Sequence, residues 1–245
     1  MKNILYILLC AAVVSFAFSG CAQKKTDIQA DYLRMLEEPA TEQGVSDVGA
    51  FLEKNLKKFD ENNADQMVVA YEDYVYSLYG DTMDYEGLLD KYGKYISGPL
   101  TDLYSIKIEE QEAPPAIDSV LVKSWRELCE RAHSLEIFIK ENKNYQLVRD
   151  EATDIYKLYI KLMLMGTTVT PVFSPDGAFD EEAQNAYIDF TAAYPDTVAA
   201  DIINEYFAYL NSIDFNLDYK APTSMTVFTD TCAYLVAEAG KRVLQ

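Results

Sequence analysis

Apolar residues recur every three or four positions along most of this chain and almost nowhere every two, which predicts helices rather than strands. Ile28, Tyr32, Met35 and Leu36 share one face of a brief helix over Asp27 to Glu38, with Pro39 beyond its end. Ser46 is placed as an N-cap for a run carrying Val48, Phe51, Leu52, Leu56 and Phe59 at helical spacing, and Asn62-Asn63 breaks that run. A second helix follows from about Ala64 to Tyr79 and stops at Gly80, where a C-terminal glycine belongs. Tyr85 to Ile96 predicts a weaker helix, interrupted by Gly87 and Gly93. Pro99 then serves as a first-turn proline for a helix through about Glu109.

Ala113-Pro114-Pro115 forbids a continuous helix and marks a boundary. After it comes the longest helical pattern, Ile117 to about Asn142, striped by Ile117, Leu121, Leu128, Ala132, Leu135 and Ile139 with Trp125 at the edge. Further helices are predicted over about Tyr145 to Met165, Asp180 to Tyr194, Pro195 to Ser212 and Ser224 to Leu244. Thr167 to Ala178 is the one substantial loop. The expected fold is all-α, an antiparallel helical bundle or two stacked bundles, with an N-terminal part over 27–112 and a C-terminal bundle over 116–245.

The first residues read differently. Lys2 precedes a nearly unbroken apolar run, Ile4 to Phe18, whose length of about 15 residues fits a secretory h-region and is short for a bilayer span. The run ends in Phe18-Ser19-Gly20-Cys21. This small-small-Cys ending resembles the lipobox of bacterial lipoproteins, whose signal peptidase cleaves just before the cysteine. The resemblance covers the first 21 residues only. It implies a signal peptide over 1–20 and a mature chain that begins at Cys21, carrying a diacylglyceryl thioether and usually an N-acyl chain of palmitate type. Two or three such chains anchor stably where one would not, at ~0.8 kcal/mol per buried methylene. Residues 21–26 are then a short polar tether. Lipoproteins of familiar Gram-negative type tend to stay in the inner membrane when Asp follows the cysteine, and here Ala22 does. The implied location is extracytoplasmic, lipid-anchored on the cell membrane or the outer membrane.

Charge narrows the possible partners. The chain carries a formal −19, and removal of residues 1–20 takes away one basic residue and no acid, leaving −20. Nucleic acid is excluded, because phosphate binding needs clustered Lys and Arg. Lying flat on an anionic bilayer is disfavoured too, so the acidic body is a solvated one, or one that meets cationic partners. Once Cys10 leaves with the signal and Cys21 is acylated, Cys129 and Cys232 remain, either as a disulfide or as two buried thiols.

Four segments repeat Tyr-x-x-Tyr-aliphatic: Tyr71/Tyr74/Val75, Tyr92/Tyr95/Ile96, Tyr156/Tyr159/Ile160 and Tyr206/Tyr209/Leu210. Their irregular separations rule out a solenoid of fixed period. Tyrosines three apart share a helix face, where rings pack inward with hydroxyls reaching water, or line a groove that stacks on a sugar or peptide. Tyr71, Tyr74, Tyr156, Tyr159, Tyr206 and Tyr209 are the candidate ligand-binding residues.

His133, the only histidine, lies in Glu130-x-x-His133-x-x-Glu136, spacings that place three potential metal ligands on neighbouring positions of a helix. A ferritin-like di-iron site needs Glu-x-x-His twice and one histidine cannot supply it. The segment also resembles the imelysin family, helical exported proteins marked by Gly-x-His-x-x-Glu. Here Arg131-Ala132-His133-Ser134-Leu135-Glu136 puts arginine in the glycine's place, and the match covers six residues. The resemblance implies metal handling by Glu130, His133 and Glu136. No G-x-S-x-G elbow occurs, and Asp176-Gly177 lacks the acids a calcium loop requires. The expected protein is not an enzyme and needs no cofactor. It is a membrane-anchored, non-catalytic helical module for a peptide, protein or glycan partner, with imelysin-like metal handling as the alternative.

Overall fold

The computed structural model describes residues 19–245, with side chains from Lys25 onward except at Asp81. The apolar run up to Phe18, with Cys10, lies outside the described residues, as does the side chain of Cys21. The described chain is all-α, ten α-helices and one short hairpin, and it divides into two units, the first ending at Ser97 and the second spanning Gly98–Gln245. No helix among the described residues is long and apolar enough to cross a membrane.

The first unit holds α1 (Ser19–Leu36), α2 (Glu42–Asn55), α3 (Glu61–Tyr79) and α4 (Tyr85–Tyr92). The helix expected from Asp27 starts at Ser19, so residues 21–26, expected as a tether, are helical. Ala, Gln and Lys are good helix formers, and nothing after Gly20 stops the run. The cap of α2 is Thr41, whose hydroxyl accepts from the Gly44 N–H at 3.0 Å, and not Ser46, which lies inside the helix. Asn62-Asn63 does not break the chain but forms the first turn of α3. There Asp60 caps the Asn63 N–H, a bond that also holds the Asp60 carboxyl below its usual pKa. Tyrosine hydroxyls stitch the helices together. Tyr32 of α1 donates to the Met67 carbonyl of α3 (2.6 Å), Tyr71 of α3 to Val45 of α2 (3.1 Å), and Tyr92 of α4 to Gly49 of α2 (3.3 Å). Buried Asp65 accepts from the Ser97 N–H at 2.8 Å and pins the end of the unit.

The second unit contains α5 (Gly98–Glu112), β1 (Ala116–Ile117), β2 (Val120–Leu121), α6 (Trp125–Glu141), α7 (Gln146–Met165), α8 (Glu181–Ala193), α9 (Val198–Ser212) and α10 (Pro222–Arg242). Two expectations are corrected here. The boundary falls at Ser97–Gly98 rather than at Pro114-Pro115, because α5 is bonded to the helices that follow it. Arg131 of α6 reaches Glu110 of α5 at 2.9 Å, the Tyr159 hydroxyl of α7 donates to the same carboxylate at 2.7 Å, and Lys107 pairs with Glu151. The helix expected from Ile117 starts instead at Trp125, where Ser124 and Glu127 form a reciprocal capping box. Residues 116–121 turn through Asp118 and Ser119, both at positive φ (49° and 63°), into the antiparallel hairpin β1–β2. Ile117 and Val120 are therefore exposed, whereas Leu128, Ala132, Leu135 and Ile139 are buried as the stripe requires.

The last turn of α7 is closed completely. An α-helix leaves its final four carbonyls without intrahelical partners. Here Leu162 accepts from the Gly166 N–H (2.7 Å), Met163 from the Tyr187 hydroxyl, Leu164 from the Tyr206 hydroxyl (2.7 Å) and Met165 from the Val172 N–H (3.1 Å). Gly166 has φ 67°, and a Cβ there would sit 2.2 Å from the Thr170 carbonyl, so only glycine fits.

Two predictions follow from these bonds. Tyr206→Phe keeps the ring and strands the buried Leu164 carbonyl, which should lower unfolding free energy by about 1–2 kcal/mol in urea titration. Burial raises the Glu110 carboxyl above its usual pKa, against the opposing pull of Tyr159 and Arg131. A raised acid penalises the folded state above its folded pKa, and the penalty fades as pH falls toward the unfolded value. Wild type should thus gain stability relative to Glu110→Gln as pH drops from neutrality into that window. A pH-independent difference between the two would contradict this.

Candidate functional site

The candidate tyrosines are structural. Tyr71, Tyr74, Tyr156, Tyr159 and Tyr206 are buried, and only Tyr209 is half-exposed. Each buried hydroxyl has an internal destination: Val45, Pro39, Glu136, Glu110 and Leu164, in that order. Tyr209 stacks between Tyr206 and Phe228 at 6.3 and 6.4 Å between centroids. Tyrosines three apart do share a face, but that face is the core, so the six residues do not line one groove. Of the six, Tyr71 borders an opening, described below.

The Glu-x-x-His-x-x-Glu segment also comes apart in space. Glu130 is exposed. His133 lies against the Tyr194 ring, 4.1 Å between centroids, and against Phe190, and its Nδ1 has no hydrogen-bond partner. Glu136 turns inward and is 1% exposed. Its carboxylate receives the Val198 N–H (2.8 Å) and the Ala199 N–H (3.1 Å), the first two donors of α9. Thr197 caps the third at Ala200 (3.2 Å), and Lys140 reaches Glu136 from the solvent side at 2.7 Å. A helix amino terminus is where a carboxylate is most favoured. Both Glu136 oxygens are thereby committed, and no group of three or more potential metal ligands converges among the described residues. The imelysin-like arrangement expected of Glu130, His133 and Glu136 does not form.

The two thiols of the described body are packed away. Cys129 and Cys232 are free, buried thiols on α6 and α10, so the disulfide alternative is excluded. Burial pushes both up to about 12, far from a thiolate at neutral pH.

What the first unit does present is a cleft of about 280 Å³ between α2, α3 and α4. Its floor is Val75, Met83 and Leu88, and the rings of Tyr71 and Tyr92 meet edge-on at 5.9 Å along one wall. Gly49 makes room for them, since a Cβ there would lie 2.9 Å from the Tyr71 hydroxyl. Tyr79, 41% exposed, stands at the rim with Asp84 and Lys91. The volume sits at the bottom of the range for small-molecule pockets, ~300–1,000 Å³, and suits one side chain or sugar ring. The Tyr92/Tyr95 repeat was a signal for part of this wall. Tyr79, Asp84 and Lys91 carry no motif, and only the turn at 80–84 brings them together.

Glu136→Ala would leave the part-buried Val198 and buried Ala199 N–H groups of α9 without acceptors and should cost ~3 kcal/mol in denaturant unfolding, more than His133→Ala. Protein purified without chelator should hold less than about a tenth of an equivalent of transition metal by elemental analysis, one histidine and dispersed carboxylates being too few ligands. Stoichiometric metal lost in His133→Ala would contradict this. No protein-family model matches the chain, and neither a curated protein nor a solved structure is significantly similar to it.

Proposed function

We propose that this chain is an extracytoplasmic lipoprotein, held at a membrane through acylated Cys21, whose helical body is a non-catalytic interaction module. The observation that carries the reading is the apolar run ending in Phe18-Ser19-Gly20-Cys21. The structure is compatible with it: no helix of the described body is long and apolar enough to cross a membrane, so attachment would rest on the acyl chains. The module reading is supported by the way reactive groups are spent on architecture. Cys129, Cys232 and Glu136 are all buried, and His133 packs against the Tyr194 and Phe190 rings. Binding would fall to the cleft bordered by Tyr71, Tyr79 and Tyr92, whose mixture of apolar floor and polar rim suits a protruding side chain or a neutral sugar ring. A net charge of −19 disfavours anionic ligands there.

Labelled palmitate should enter the wild-type protein and be absent from Cys21→Ser, read by fluorography after membrane fractionation. Label retained in that variant overturns the anchor reading.

A further inference from the structure

The chain is strongly acidic, yet one end of its first unit is basic. An open, shallow basin of about 700 Å³ is lined by Lys57, Phe59, Lys94 and Tyr95, together with Asp60 and Glu61. Lys58 adjoins it in the 3-10 turn Leu56–Lys58. Lys25, from α1, extends over the Phe59 ring at 5.9 Å and lies near enough to Asp60 to lower its pKa. Lys94 covers Tyr95 in the same manner at 5.0 Å. Three lysines, Lys25, Lys57 and Lys94, therefore border the basin against two acids, Asp60 and Glu61, and the Asp60 carboxylate is already occupied in capping α3. The local sign is opposite to that of the chain.

Position gives this inversion its meaning. Cys21 and Lys25 lie on the same helix, four residues apart. At 1.5 Å per residue that is about 6 Å along the axis. The basin is thus roughly one helical turn from the proposed acylation site, within the ~10 Å screening length of moderate salt. It is too open to enclose a small molecule, but a planar charged surface needs no enclosure. Half-buried Phe59 and Tyr95 are the kind of aromatic residue that sits at a headgroup layer.

We propose that this basin docks on the anionic phospholipid headgroups of the membrane that holds Cys21. The proposal rests on the anchor reading and extends it: acyl chains fix the protein to the bilayer, and Lys25, Lys57 and Lys94 set which part of the first unit meets it. Whole-chain repulsion keeps the acidic surface away, and the lysine end is attracted, so the same electrostatics act on both.

The test uses acylated full-length mature protein in vesicles of phosphatidylcholine, alone or mixed with phosphatidylglycerol. Each sample is pulsed with a water-soluble amine-acetylating reagent and read by mass spectrometry. Acetylation of Lys25, Lys57 and Lys94 should slow at least about fivefold in the anionic vesicles relative to phosphatidylcholine alone, and the slowing should vanish near 1 M salt, where the screening length is ~3 Å. The exposed double variant Lys57→Glu/Lys94→Glu, with its helical circular dichroism unchanged, should restore rapid acetylation of Lys25. Equal rates in both vesicle types, with protein still retained through its acyl chains, overturn the docking and leave the anchor standing. Protein that leaves the vesicles in high salt overturns the anchor reading on which the proposal rests. Slowing reproduced by inorganic phosphate without vesicles overturns the membrane as occupant.

Discussion

The buried carboxylate of Glu136 is the constraint around which the second unit is assembled. A charge taken out of water is tolerated only where donors replace the lost hydration. Here the replacement comes from the amino terminus of α9, 62 and 63 residues further along the chain. The arrangement works in both directions. The carboxylate gives α9 acceptors for backbone groups that would otherwise be stranded beneath α6. The helix in turn aims its amino-terminal dipole at the carboxylate, and Lys140 meets it at the surface. Once α9 is fixed at that end, Tyr206 is placed to close α7, and Tyr187 of α8 reaches the neighbouring carbonyl.

This explains a composition that first suggests recognition. Nineteen tyrosines are many for a chain of this length. Most of the repeated pairs use their hydroxyls as long arms that satisfy a backbone carbonyl or carboxylate on another helix. Phenylalanine would fill the same space but leave the acceptor bare. The rings supply burial and the hydroxyls supply register between helices, so a tyrosine-rich core is more specific about its helix partners than an aliphatic one.

Much of the fold was legible because its signals are local. Asp180, Gly80, Gly166 and Pro222 each mark a helix end by their own chemistry, and the stripe Leu128, Ala132, Leu135, Ile139 identified a buried face. What escaped the sequence is non-local or conformationally unusual. Asp118 and Ser119 turn at positive φ without a glycine, so the hairpin has no ordinary signature. Ser46 is the expected cap of α2, but the helix is capped earlier, at Thr41, whose hydroxyl takes the Gly44 N–H. The Ser97–Gly98 boundary depends on Glu110 meeting Arg131 and Tyr159. Glu136 looked like a metal ligand because spacing along a helix says which residues are neighbours, not which of them turn inward. The basic end is drawn from three separate stretches of sequence, and no window along the chain contains it.

Cys129 and Cys232 carry a wider implication. A chain read as exported meets oxidants soon after it leaves the cytoplasm, and many such proteins depend on that chemistry for their final form. Here the two thiols of the described body are separate core residues, each held as a small apolar filler within its own helix packing. The described body is complete without a covalent clasp, so its shape is indifferent to the redox potential around it.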